Sequence, residues 1–570
     1  MKLRLKTVLL LALQVVSALT LAGGVLSARS AFSAEEGPPP STGRPALVPD
    51  APHWASRASS VVWLRHTTKW QELKSAAAAR GLAPPALEAH TATGVVFGQT
   101  VFNKDASALP QNETSVAMDP KNANRVVGGY NDYRGLLPPP ALPNFTGWSI
   151  STDGGVTVAK DGQLRSVTIL GVSVPSQGDP VVAVDTNGNF FMGSLQFDAD
   201  FMSPSGITVF RSPAAGGSTG VFGSSCTGGT NVDCWPTVNV VAAETCTSSG
   251  GHFYDKDYIA VDRSTSAASG SVYVIWTLFG CADSSSAIQI AKCTNNLASC
   301  TAPVTLDSTT GTGSALDFVQ LSHLTVGPTG KVYVTWVAHS GNSPDVETDS
   351  IRLRVITPTA SASSIGTLGP LRTVQTETSP IPWDTAPYPA RFRTATYPKV
   401  GVQGSRAVIV WDRRVGDLLL DAFYMGSSIL GKTTDNDGAS FSAVQTVSSG
   451  AGFRYQPTIC VASSNGPVVV GYASHQNDAP WFHRQDWYVA TSFTGAAPFT
   501  PLRVTPVSND TEQDPVLSDT FIGDYPEVAC QGKVGYLHYT ANYAAKSGSS
   551  SGFSGVIRQQ DTFLGKFSLP

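Results

Sequence analysis

The sequence predicts an all-β chain closed into a ring of small antiparallel sheets, most simply seven of them. Three observations predict it. Charged residues are only 14 % of the 570, while Gly (54) and Pro (38) are plentiful and 41 % is hydrophobic. That is low against a usual ~25 % charged, and it describes a turn-rich chain with a large core rather than a disordered one. A two-strand phrase recurs seven times from about residue 95. A period this long, made of short strands, fits a ring of small sheets, and a two-sheet sandwich would not need seven copies. Finally, the chain opens like an exported protein and carries an even number of cysteines, eight.

Taken in order, Lys2, Arg4 and Lys6 precede an apolar run from Val8 to Ala22 and small residues at Gly23, Gly24 and Ser27. The run is shorter than the ~20 residues of a membrane span, so 1–27 reads as a signal peptide. Residues 28–93 read as a Pro/Ala-rich linker with one short helix at Thr68–Arg80, stopped by Gly81 and Pro84-Pro85. The remainder, 94–570, is the ring of sheets.

The first strands of the phrase begin at Glu113, Asp179, Asp257, Leu321, Tyr397, Gln456 and Asp524, about 60 to 78 residues apart. The second strands end in polar residues, among them Asp132, Tyr133, Arg134, His339, Asp412, Arg413, Arg414, His475 and Asn477. Such an arrangement is a β-propeller, with blades around a central channel. The last repeat is short, and the strand-like 94–102 lacks a partner, so it is expected to complete the last blade. Six blades plus an accessory sheet is the alternative. Asp119, Asp185 and Asp262 close first strands and read as turn formers. Trp276, Trp336 and Trp411 recur at one strand position and read as inter-blade packing.

None of the eight cysteines forms a CxxC pair, which favours disulfides in an oxidising compartment over metal or redox chemistry. Cys293 and Cys300 could close a short loop. The other pairings are open.

Two turns resemble Asp-boxes, Ser151-Thr-Asp153-Gly-Gly155 and Thr434-Asp-Asn436-Asp-Gly438. With Asn112–Pro120, Tyr130–Arg134, Asp255–Asp262, Trp411–Arg414 and Gly523–Tyr525, the chain over roughly 95–560 resembles secreted bacterial sialidase-like propellers with BNR repeats. The resemblance implies a six- or seven-bladed propeller and a glycoside hydrolase of exo-sialidase type. Members clamp a substrate carboxylate with three arginines, and use a Tyr–Glu nucleophile pair and an Asp acid/base. The early Arg-Ile-Pro signature of true sialidases is absent here.

First-strand starts and second-strand ends share one face of a propeller. That face would gather Glu113, Asp179, Asp257, Asp524 and Tyr525 as catalytic candidates. Arg134, Asp132, Arg413, Arg414 and His475 would hold substrate. Paired carboxylates supply the acid and the base or nucleophile of glycoside hydrolysis, and guanidinium groups suit acidic sugars. No metal ligand set or cofactor motif is present, although a carboxylate ring could hold Ca²⁺. The net charge of −4 argues against nucleic acid. The expected partner is a carbohydrate or cell-surface glycoconjugate, met outside the cell or in the periplasm by a monomer that does not span a membrane. Two other readings of the same face are a non-catalytic propeller binding glycan or protein, and a polysaccharide lyase using Tyr and His.

Overall fold

The computed structural model describes residues 99–570 with breaks, those longer than five residues being 137–143, 214–221, 311–316, 380–393 and 416–425. The expected signal peptide, linker and Thr68–Arg80 helix lie outside the described residues.

Seven antiparallel sheets form seven blades of a β-propeller. Blade 1 runs Gln111–Asp119, Asn122–Asp132, Thr146–Ser151 and Lys160–Gln163, from the axis outwards. The innermost strands of the next five blades are Val181–Val184, His252–Val261, Phe318–Val326, Lys399–Gln403 and Arg454–Val461. Each is followed by strands two, three and four in simple succession, and blade 4 carries an extra short strand at Thr367–Leu368. Blade 7 takes Glu527–Gln531, Val534–Ala541 and Asp561–Ser568 from the C-terminal end of the chain. Its fourth strand is Gln99–Val101, antiparallel to the last strand through Gln99↔Gly565 and Val101↔Phe563. The innermost strands touch in cyclic order, and that of blade 7 touches that of blade 1.

The second strands are the apolar spine of the blades. Val272–Gly280 and Val468–Ser474 are buried at every residue. Buried large side chains at such positions contribute roughly 1.5–3 kcal/mol each. Trp336 and Trp411 sit between blades, and each indole N–H reaches a carboxylate on the outer strand of the preceding blade. Trp336 donates to Asp307 at 2.9 Å and Trp411 to Glu377 at 3.2 Å.

The turns follow the sequence reading. Asp119, Asp185 and Asp262 accept backbone N–H groups two residues on, at 2.8 Å each. In the turn after Ser151, that hydroxyl accepts from Gly155 N–H, and Asp153 accepts from the amides of Val156 and Thr157. The Thr434 turn is bonded alike, with Asn436 in place of the acid. Both turns follow third strands.

The eight cysteines form four disulfides: Cys226–Cys234, Cys246–Cys281, Cys293–Cys300 and Cys460–Cys530. The last joins the innermost strands of blades 6 and 7. Four such bonds belong to an oxidising environment. Among the described residues no helix is long and apolar enough to cross a membrane.

Candidate functional site

The axis is shaped by one backbone device, repeated around the ring. Near the start of the innermost strand one residue takes a positive φ: Glu113 (53°), Asp179 (51°), Lys256 (48°), Leu321 (59°) and Gln456 (52°). In blades 1, 3, 4 and 6 the pairing with the second strand slips at this point. A β-bulge of this kind bends the strand and re-aims a side chain. Left-handed backbone costs a non-glycine residue on the order of 1–2 kcal/mol. Leu321 bears it without any chemistry to perform, so the device belongs to the architecture. Tyr397 and Tyr525 hold the same place in the phrase in blades 5 and 7.

These seven side chains meet at the axis. Tyr397, Tyr525 and Leu321 cluster although they come from three blades. The Lys256 ammonium lies 3.7 Å from the Tyr525 ring centroid and 5.3 Å from that of Tyr397, a cation–π arrangement. The Tyr525 hydroxyl reaches across to the Pro180 carbonyl at 3.4 Å. Glu113 accepts from Asn131 Nδ2 at 2.5 Å and from the Asp524 N–H at 3.1 Å, while Asn131 Oδ1 receives the Asp179 N–H. Both oxygens of Asp179 are buried without a hydrogen-bond partner.

Two residues further along each strand, a second ring points the same way: Ser115, Val181, Tyr258, His323, Lys399, Thr458 and Glu527. Tyr258 donates to Glu527 at 2.9 Å and Thr458 donates to it at 3.2 Å. The Lys399 ammonium stands 3.9 Å from the same carboxylate and 4.1 Å from the Tyr397 ring.

Burial dominates the electrostatics. It drives the Asp179 pKa well above the carboxylate range, and the neighbouring Glu113 charge adds to it while Lys256 opposes. Burial also works against charge on Lys256, yet Tyr397, Asp179 and Glu113 hold its pKa above the ordinary lysine value. Lys399 is lowered to about 7 by burial, with Glu527 opposing and Lys256 assisting. The Tyr525 phenol is raised by burial and by Asp179 and Glu113.

The residues singled out from sequence therefore fall into separate places. Glu113, Asp179 and Tyr525 come together at the axis. Asp524 flanks them through its backbone and is itself buried. Asp257 follows the bulge and faces away, between blades 2 and 3. A Cβ built on Gly193 would stand 2.2 Å from its Oδ2. Asp132 and Arg134 belong to blade 1. Arg134 binds Asp132 at 2.6 Å and Asp161 at 3.1 Å, and burial raises Asp132 to about 6 against the pull of Arg134. His475 is fully buried in blade 6, where its Nε2 meets the Tyr455 hydroxyl at 3.0 Å. Arg414 pairs with Ser427 in the strand ladder, and its side chain lies outside the described residues.

Arg413 stands 3.4 Å from Glu377 and is half exposed. Replacing Arg413 by Ala should change stability by less than about 1 kcal/mol, as exposed ion pairs do. Glu377→Ala should cost more, about 1–3 kcal/mol, because it also strands the buried Trp411 N–H. Urea denaturation of the two variants distinguishes these outcomes.

Sequence reading missed Lys399, Glu527, Tyr258 and His323. The signal was present, since each lies two residues beyond the axial position of its repeat, on the same face of its strand. Among the described residues no three His, Cys, Asp or Glu side chains gather as metal ligands.

The sequence matches no family model and no curated protein. Solved structures with a similar fold include an α-L-arabinofuranosidase of Fusarium graminearum, with 10% identity, a TM-score of 0.40, and coverage of 83% of this chain and 96% of that one. A Penicillium chrysogenum α-L-arabinanase has 11% identity and a TM-score of 0.39 over 80% of this chain and 92% of its own. A leech intramolecular trans-sialidase has 7% identity and a TM-score of 0.35 over 80% of this chain and 68% of its own. Values this low bear on neither substrate nor site residues.

Proposed function

We propose that this is a secreted β-propeller glycoside hydrolase of acidic or terminal sugars, with its acid/base pair at the axis. The observation that carries the reading is the unlike setting of two carboxyl groups. Asp179 has no hydrogen-bond partner on either oxygen, and burial favours its protonated form. Glu113 accepts two hydrogen bonds. Pairs of carboxyls whose environments differ in this way divide the roles of proton donor and base or nucleophile. Asp179 would protonate the leaving oxygen. Glu113 would act as base, directly or through Tyr525, and Lys256 would balance their charge.

A second reading, a propeller that binds glycan without cleaving it, is favoured by a specific observation. Glu113, Asp179 and Lys256 are 0% exposed and Tyr525 3%, so the ring fills the channel.

The test is a panel of fluorogenic glycosides and acidic polysaccharides, with and without chelator. Turnover that falls at least 10²-fold in Asp179→Asn, with folding intact, supports the hydrolase, since acid/base groups contribute roughly 10²–10⁴-fold. Glycan binding without turnover selects the binding propeller. Chelator-sensitive binding would bring Ca²⁺ into either reading.

A further inference from the structure

The channel is filled by its first two rings and then opens. The third position along the innermost strands carries Ala117, Ala183, Ala260, Thr325, Gly401, Cys460 and Ala529. Side chains this small leave a cavity of about 590 Å³. It opens on the face where first strands end, opposite the Glu113–Asp179 ring. A volume of several hundred Å³ with an apolar wall between a polar floor and a polar rim is the form of a small-molecule site.

The floor supplies the polar groups. Tyr258, His323 and Glu527 line the cavity from the second ring. Tyr258 and Glu527 are bound to one another, whereas His323 is only half used. Its Nδ1 receives the Val400 N–H at 3.2 Å. Burial, with the Lys399 and Lys256 charges behind it, keeps the imidazole neutral, its pKa well below the ordinary histidine value. A neutral ring that accepts at Nδ1 carries its proton on Nε2. That N–H has no protein partner, although His323 is only 3% exposed. It is a donor on the floor of an open cavity, and the charges acting on its ring are those of Lys399, which is paired with Glu527, and Lys256.

We infer that this cavity is a second binding site, taking a small carboxylate with its carboxyl on His323 Nε2–H and its body against the alanine wall. The two lysines favour an anionic acceptor over a neutral one. Rim residues Thr186, Ser264, Thr265, Ser463 and Ser464 suit a ligand with a wet outer end. The site stands apart from the hydrolase reading, because none of its wall or floor residues belongs to the proposed acid/base pair.

Ligand-observed NMR and calorimetry on the whole chain test it with two matched pairs, benzoate against benzyl alcohol and D-glucuronate against D-glucose. Saturable binding of at least one acid, at least tenfold tighter than its neutral partner, is expected. The pair that responds tells an aromatic acid from a sugar acid. Ala260→Leu, which narrows the wall without touching the floor, should abolish this binding and leave any glycoside turnover unchanged. His323→Gln should weaken it at least tenfold. Absence of saturable binding by either acid, equal binding of acid and neutral partner, or full binding in a folded Ala260→Leu protein overturns the inference.

Discussion

Lys256→Met is expected to destabilise the protein by about 3–5 kcal/mol, the cost of leaving a buried counter-charge uncompensated. Lys256 is 0% exposed, and its positive charge faces Glu113 and Asp179 at the axis. Methionine fills a similar volume and can still lie on the Tyr525 ring, so packing is largely kept. What goes is the cation that opposes burial in setting the Asp179 pKa. The second change that should restore stability is therefore Glu113→Gln. It removes a negative charge while its one amide oxygen keeps one of the two donors, Asn131 Nδ2 or the Asp524 N–H, which Glu113 holds on separate oxygens. Equilibrium urea denaturation of the two single variants and the double variant measures the coupling. If the double variant is no more stable than Lys256→Met, the axial charges are not acting on one another.

The ring of blades was legible because its signals are local and repeated. A polar start, an apolar strand, an Asp turn and a second apolar strand recur seven times, and a single copy would have been ambiguous. Ser151 and Thr434 announced their turns through side chains that bond within five residues. The axis was harder to read, because a strand shows its two faces with period two and a slip of one residue exchanges them. Asp257 looks equivalent to Asp179 when the acidic starts are superposed. The equivalent of Asp179 is Lys256, and Asp257 matches Pro180, Pro398, Pro457 and Pro526. Proline at four of the seven copies marks the residue after the bulge, which points away from the channel. The same slip makes Asp524 look like an axial residue beside Tyr525. Of the ion-pair partners, Asp132 beside Arg134 was legible because it lies two residues away. Asp161 lies far in sequence from Arg134, and Glu377 from Arg413, so nothing local shows those two contacts.

Asp257 also yields the clearest pH dependence. Its carboxyl is buried against Gly193 with neither oxygen hydrogen-bonded, and burial raises its pKa to about 8, with Lys256 opposing. In the unfolded chain it titrates near 3.9. Below that value both states hold the proton, and the group costs the fold nothing through ionisation. As pH rises from about 4 towards 8, the unfolded state gains by releasing a proton that the folded state keeps. Stability is therefore lost across that window and the loss levels off above about 8. Asp257→Asn removes the titration while keeping the shape. Its melting temperature should match wild type near pH 4 and exceed it increasingly up to pH 9, where the difference corresponds to several kcal/mol. Thermal denaturation at five pH values measures the slope. A constant offset across the range would mean that Asp257 titrates alike in both states. A variant that is less stable at pH 9 would mean that the carboxylate has a role at the blade 2–3 boundary which an amide cannot fill. That second result would also place a charged group beside Lys256. Asp257 would then have to be weighed with Glu113 and Asp179 as part of the axial balance.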